Sequence, residues 1–362
     1  VNSAILRSII KLSKEVLDFA EVGIISLNGN LNTVSDIDSK SREVYDHLKT
    51  SVINKHDWAK SVIVLVRPYI PYKTEFPYGF GVYSAHYKQY PLGRKAVKCL
   101  SEFIENAGYK AAFDSGIPVK AAAFCSGLGR YGRNSLIYTK EYGSFITLHT
   151  IVTDALFDYD DVLSGTISDC GNCNLCTDAC PTKAIMHDGK FNKSRCLREH
   201  MLPKNIVPLE IRRLMGSCIL GCDICQIVCP MNKNRYANAI LPPDDEAKAF
   251  DIENILYDSK NRDEILDYIS NIAGTNYVKQ ESILSAATIT AGNMKEIKFV
   301  PHLTKLLKHP NPSIRVHAAW ALAETDAQSA RDVLVDAIAK ETDETVKLEM
   351  QNFLSNAKVS SV

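Results

Sequence analysis

Cys170-Gly171-Asn172-Cys173-Asn174-Leu175-Cys176-Thr177-Asp178-Ala179-Cys180-Pro181, answered by Cys222-Asp223-Ile224-Cys225-Gln226-Ile227-Val228-Cys229-Pro230, decides how this chain is read. The first run has the spacing with which bacterial ferredoxins hold [4Fe–4S] clusters, the fourth cysteine crossing to the neighbouring cluster. Short spacers let successive thiolates wrap one face of a cubane, and the proline turns the chain away after the crossing ligand. A lone CxxC also fits zinc or a redox dithiol. Paired zinc ribbons would show CxxC pairs without the x3-Cys-Pro endings. Two runs that both end in Cys-Pro therefore predict two [4Fe–4S] clusters and one-electron chemistry.

Around this centre the chain is ordinary in bulk. It has 362 residues, 46% of them hydrophobic and 23% charged, with zero formal net charge. That composition belongs to a globular protein of two or three domains and announces no polyanionic partner through a global field. Charge is locally uneven: residues 190–235 carry nine Lys/Arg (Lys190, Lys193, Arg195, Arg198, Lys204, Arg212, Arg213, Lys233, Arg235) against Glu199, Glu210 and Asp223. The eleven cysteines cluster, which favours metal in a reducing compartment over disulfides. No apolar run is long enough for a membrane span. The first residues, Val1 to Arg7, show neither a signal-peptide core nor a twin-arginine pair, and the chain reads as cytoplasmic.

Three segments follow from pattern. Residues 1–165 alternate helical and strand signals, an α/β or α+β domain. A helical period runs through Ile5, Ile9, Leu12, Val16 and Leu17, and strands are expected at Val22–Leu27 and Ser61–Val66, the second stopped by Pro68. A helix is expected from Gly93 to Ala107 with Gly108 as its C-terminal stop. Two further strands, Ser135–Thr139 and Phe145–Val152, flank a turn at Lys140–Gly143. Residues 166–240 form a loop-rich, ferredoxin-like double-cluster domain. From 241 to 362 the chain is helical, and the turn-plus-helix His309–Leu322 restarts near Thr342–Leu348, the grammar of HEAT-type repeats. So few repeats cannot stand alone, so they are expected to cap the body.

Crossing logic assigns Cys170, Cys173, Cys176 and Cys229 to one cluster. Cys180, Cys222 and Cys225 belong to the other, completed by Cys196 or Cys218. Spacing alone slightly favours Cys218. Cys99 and Cys125 sit in apolar surroundings and read as core filler.

These residues resemble a known family. Cys170–Ile185, Arg195-Cys196, Leu214-Met215-Gly216 and Gly221–Pro230, with Gly127-Leu128-Gly129-Arg130-Tyr131-Gly132-Arg133-Asn134-Ser135 and Gly143-Ser144-Phe145, resemble epoxyqueuosine reductase, and the HEAT-like tail agrees. The resemblance spans roughly residues 60–350. It implies an N-terminal domain that binds cobalamin in a fold shared with reductive dehalogenases, and electrons passing from the clusters to cobalt to remove the epoxide oxygen of a modified tRNA nucleoside. It implies a base-off corrinoid without a protein ligand, since no Asp-x-His-x-x-Gly box is present. It favours Cys196 over Cys218. It also implies a tRNA partner, an external donor of flavodoxin or ferredoxin type, and a monomer. The chain departs from the family on the substrate side: Arg130-Tyr131-Gly132-Arg133-Asn134 replaces a Trp- and Lys-containing string, and Lys120 stands where an acid is common.

Gly127, Gly129 and Gly132, leading into Asn134 and Ser135, let backbone approach a bulky ligand, by resemblance the corrin or its nucleotide tail, with Ser144 beside it. A tight turn before a strand is the plainer account. Removing oxygen as an anion needs a proton donor. The resemblance offers Asp114, which the plainer account leaves as a turn former, and Tyr131 and Arg133 are alternative donors or anion stabilisers. His149, His200, His302, His309 and His317 read as surface or satisfied residues. The basic segment could hold tRNA phosphates, yet residues 251–362 carry 12 Lys/Arg against 16 Asp/Glu, which equally suits a solvated face or a docking surface. Two other functions share these residues: the same machinery reducing another electrophile such as an organohalide, and a non-enzymatic electron-transfer or corrinoid-reactivating protein.

Overall fold

The computed structural model describes residues 3–28, 38–74, 79–113, 115–157, 167–201, 205–257, 260–274, 278–325 and 328–357. Its strands in chain order are β1 (Glu21–Ser26), β2 (Ser61–Pro68), β3 (Val82–Tyr83), β4 (Ala111–Phe113), β5 (Arg130–Tyr131), β6 (Ile137–Tyr138), β7 (Ile146–Thr153) and β8 (Cys218–Leu220). The first helices are α1 (Ser3–Glu15), α2 (Ser39–Lys55), α3 (His86–Asn106) and α4 (Val119–Cys125).

The N-terminal core is a four-stranded sheet ordered β1-β2-β7-β4, antiparallel at each pairing. Side chains alternate across a strand, and β2 shows both faces in use. Val62, Val64 and Val66 pack with Tyr45, Leu48 and Val52 of α2 and the alanines of α4. Ile63 and Leu65 pack with Ile9 of α1 and Val97, Leu100 and Ile104 of α3. A sheet covered on both faces needs continuous apolar runs, hence the unbroken Val-Ile-Val-Leu-Val of this strand.

Two elements differ from expectation. α3 starts at His86 rather than Gly93 and carries Pro91 inside it. A proline there reads as a helix boundary, but it removes only the one donor that would reach the carbonyl of Tyr87. The helix does end at Gly108, whose φ of 89° is the left-handed value a closing glycine supplies. The run Ser135–Thr139 yields only β6, which pairs with β5 instead of β7. The turn after it is closed by a Thr139–Gly143 bridge.

The cluster segment is stitched to this body. β3 pairs in parallel with β8, and Tyr72 and Phe80 bridge to Ile240 and Asp251. Buried Glu246 accepts hydrogen bonds from Tyr72 Oη (3.0 Å) and Tyr83 Oη (2.8 Å) and pairs with Lys88. In the tail, helices Gln280–Met294 and Pro312–Thr325 pack as a pair, followed by Gln328–Lys340 and Glu344–Ala357. Their apolar residues share one core with Leu197, Met201, Val207, Ile211, Met215, Ile219 and Leu220 of the cluster segment. His317 pins that junction. Its Nε2 accepts from Val207 N–H (3.0 Å) and its Nδ1 lies 2.7 Å from Ser285 Oγ.

Candidate active site between two cluster runs and the sheet domain

The cysteines fall into two neighbourhoods. Cys176, its pKa raised first by burial, is raised further by Cys170, Cys229 and Cys173. Cys180 packs with Ala184 and Ile185 against Cys176, Cys196 and Cys225. Burial pushes the Cys225 thiol up to about 12, and the charges of Cys196 and Cys176 add to this. Burial raises Cys222 too, with Cys218 and Cys225 beside it. Cys180 runs the other way. Burial opposes its thiolate, but the Thr182 hydroxyl and the amides of Ala184, Ile185 and Thr182 outweigh that and lower its pKa. Several buried thiols in mutual repulsion suit a cationic iron core, which deprotonates coordinating thiols outright. Cys218 opens β8, lies beside Cys222 and, like Cys222, packs against the large core. Of the two remaining cysteines, Cys125 is buried as expected and Cys99 is exposed on α3. The apolar neighbours of Cys99 in sequence lie on the helix face turned towards the sheet.

A cleft of about 370 Å³ opens directly against the second neighbourhood. Cys196, Cys222 and Cys225 line it together with Asn134, Ser135 and Ser144. Leu136, Ile146 and Tyr69 supply flat apolar surface, while Lys193, Arg198 and Glu199 stand at the rim. Two turns hold this lining together. Asn134 Nδ2 donates to Tyr138 Oη (2.7 Å) and reaches the Cys225 carbonyl (3.4 Å). Ser135 adopts φ 62°, a strained value for a non-glycine, and its carbonyl accepts from Lys120 Nζ at 2.7 Å. At the second turn, Ser144 N–H donates to Asn232 Oδ1 (2.8 Å) and Ser144 Oγ to Gln226 Oε1 (2.8 Å). Asn232 Nδ2 returns bonds to Ser144 Oγ (2.9 Å) and Gln226 O (2.8 Å). Gly143 has to be glycine here: its φ is 58° and a Cβ would lie 2.0 Å from Asn232 Oδ1.

The floor is desolvated. Burial pushes His86 down to about 3, helped by the charges of Arg198 and His149, so its imidazole is neutral. Burial raises Asp223, although Ser84 and Gln226 hydrogen-bond it, and burial with the Asp223 charge lifts Tyr69 well above its usual range.

The remaining candidates have other positions. Gly129 and Gly132 face the chain itself, where Cβ atoms would strike Ile137 and Tyr138 at 2.4 Å. Gly127 takes φ 73° after α4, and none of the three lines the cleft. They shape the β5–β6 hairpin. Tyr131 faces a separate, open cavity beside Glu43, His47 and Pro118, and burial raises its hydroxyl to about 12. Arg133 points away from the cleft, its guanidinium donating to His187 O (2.7 Å) and Gly171 O (3.0 Å). Asp114 lies outside the described residues. Tyr69, Ser84, His86, Asp223 and Gln226 line the cleft and were not singled out beforehand; they come from separate segments with no common spacing. The basic segment is also less free than its count. Arg212 is buried, Arg213 pairs with Glu324 (2.6 Å), Lys190 with Asp188 (2.9 Å) and Lys193 with Glu199 (3.5 Å).

Residues 169–232 match the family described as a 4Fe-4S double cluster binding domain, and 275–354 match HEAT repeats. The epoxyqueuosine reductase of Bacillus subtilis is 31% identical over 277 residues, which is 74% of this chain and 70% of that protein. That of Lactococcus garvieae is 33% identical, over 71% of this chain and 74% of its own.

This chain belongs to the epoxyqueuosine reductase family.

Solved structures agree on the fold. The B. subtilis epoxyqueuosine reductase, with its catalytic loop swung out of the active site, superposes with a TM-score of 0.78 at 24% identity, covering 98% of this chain and 99% of that one. An epoxyqueuosine reductase bound to a tRNA-Tyr epoxyqueuosine-modified stem loop gives 0.76 at 24% identity, with the same coverage. Family membership and the double-cluster match together make this an iron–sulfur oxidoreductase with two [4Fe–4S] clusters. Among the described residues no helix is long and apolar enough to cross a membrane.

Proposed function

We propose that this chain reduces epoxyqueuosine in tRNA to queuosine, with a corrinoid held in the cleft. The observation that carries this reading is that Cys196, Cys222 and Cys225 line the same cleft as Asn134, Ser135 and Ser144. The outer cluster is held by Cys170, Cys173, Cys176 and Cys229. The inner cluster is held by Cys180, Cys196, Cys222 and Cys225, with Cys196 completing it rather than Cys218. The family's printed activity and the stem-loop complex of a relative support the substrate.

The residues fit a broad, flat macrocycle. Leu136, Ile146 and Tyr69 offer apolar faces, and Asn134, Ser135, Ser144 and Gln226 offer polar edges for its amide substituents. Bound there, cobalamin supplies a strongly reducing cobalt centre beside the inner cluster. The chain does the rest. Its clusters take electrons singly from an external donor of flavodoxin or ferredoxin type. The neutral His86 puts no cation on the floor beneath the macrocycle. Converting an epoxide to an alkene consumes two electrons and two protons and releases water. Asp114 is proposed as the donor of the first proton to the departing oxygen. Arg198 at the rim, and Lys193 once released from Glu199, are proposed to meet tRNA phosphates, which would make binding salt-sensitive.

The test is anaerobic turnover. Protein reconstituted with iron, sulfide and cobalamin is reduced and given epoxyqueuosine-containing tRNA, and the released nucleosides are read by mass spectrometry. Queuosine in stoichiometric excess over enzyme is expected. Full iron and corrinoid content with unchanged tRNA, or turnover of an organohalide in its place, would overturn the substrate.

A further inference from the structure

The hairpin turn 132–136 touches the outer cluster run as well as the cleft. Arg133 backbone N–H donates to Cys170 Sγ at 3.3 Å. Its guanidinium spans the same loop, one nitrogen on Gly171 O at 3.0 Å and the other on His187 O at 2.7 Å. No carboxylate pairs with it among the described residues. The turn is itself pinned, with Gly132 N–H on Leu136 O (2.7 Å), Ser135 N–H on Gly132 O (2.9 Å) and Tyr131 N–H on Ile167 O (2.9 Å).

We propose that Arg133 is the positioning residue that sets the reduction potential of the outer cluster, holding an amide on a ligand sulfur and, beside the loop, a cation that no carboxylate among the described residues pairs with. Hydrogen bonds to sulfur, net charge and solvent exposure are the levers a protein has over such a cluster. A four-thiolate cluster becomes one unit more negative when it takes its electron, so a neighbouring cation and an N–H···S bond both stabilise the reduced form and raise the potential. The fork matters as well as the charge: a planar guanidinium can bridge two carbonyls in fixed geometry, and a lysine ammonium cannot do so with the same rigidity. The two carbonyls belong to residues 171 and 187, so one side chain clamps both ends of the loop that carries Cys173, Cys176 and Cys180. The inner run meets this turn through Asn134, not Arg133: the Asn134 side chain reaches the Cys225 carbonyl at 3.4 Å and hydrogen-bonds the Cys225 thiol.

The inference rests on the two-cluster assignment and is independent of the tRNA substrate. Loaded wild-type protein, Arg133→Gln and Arg133→Lys are titrated anaerobically against redox mediators, and the reduced-cluster EPR signals are followed beside iron content. The signals are assigned by repeating the titration in Cys196→Ala, which retains the outer cluster. Arg133→Gln should move the outer midpoint to more negative potential and leave the inner one in place. Arg133→Lys should give a smaller shift in the same direction. Selective loss of the outer signal, with about half the iron remaining, would place Arg133 on that cluster equally well. Two unmoved midpoints at full iron content would overturn the proposal. So would loss of both clusters together, since Arg133 would then be holding the fold. Wild-type protein that never binds about eight irons would sink the two-cluster reading instead.

Discussion

Cys196 and Cys218 are the residues on which the inner cluster turns. Cys196 neighbours both Cys180 and Cys225, whereas Cys218, at the start of a strand, neighbours Cys222 alone among the proposed ligands. Cys196→Ala should therefore lose about four of eight irons and all turnover, while Cys218→Ala keeps both; iron analysis and EPR decide it. Local spacing favours Cys218, four residues from Cys222, whereas the proposed ligand Cys196 is brought beside Cys180 and Cys225 by the chain's path through Thr182–Arg195. Glycine was ambiguous for a related reason. A sequence cannot distinguish a backbone that approaches a ligand from one that approaches its own hairpin, and Gly129 and Gly132 do the latter. The cysteine runs were legible because each is one local wrap around a metal core. The cleft floor was not, since Tyr69, His86 and Asp223 meet only after folding.

At the scale of elements, close approach decides two glycines. Gly292 sits in the last turn of the helix Gln280–Met294, where alanine would ordinarily gain up to about 1 kcal/mol of helix propensity. A Cβ there would lie 2.7 Å from Trp320 and 2.9 Å from the Ala321 Cα. Gly292→Ala should therefore destabilise, by about 1–3 kcal/mol of overpacking, read as a lower Tm. Gly143→Ala should cost at least about 1 kcal/mol, because it combines a left-handed backbone with a clash against Asn232. It should also loosen the Ser144–Gln226 bond beside the cleft, measurable as weaker cobalamin binding. The β2 run and the tail helices were readable from periodicity alone. The start of α3 was not, since Pro91 lies within the helix and its cost is met by burial of the Val97, Leu100 and Ile104 face.

For the whole molecule, the junction between tail and cluster body carries a pH dependence. Burial pushes His317 down to about 3, and its Nε2 must stay unprotonated to accept from Val207. Its folded pKa lies below the unfolded value near 6.5, so the unfolded chain binds the proton first. The stabilisation is complete above about pH 6.5 and is lost as pH falls towards 3, by about 1.4 kcal/mol per unit. Denaturant unfolding of the wild type from pH 7 to 5 should show this slope added to the equal share of His86, and His317→Gln should lose its own share, about half, while starting less stable. An unchanged slope in the variant would assign the acid sensitivity elsewhere.

Cys229, a proposed iron ligand, and Asn232, which locks the Gly143-Ser144 turn, lie three residues apart. With that ligand set, iron supply becomes a structural input at this joint. A chain made under iron starvation would lack the anchor that orients Pro230–Asn232, leaving the sheet domain's seam as the place where a cell's proteases gain purchase. Limited proteolysis of freshly made, iron-free protein should cut near this seam, and reconstitution should close it. The cluster would then mark the chain as finished, and its loss would mark it for removal.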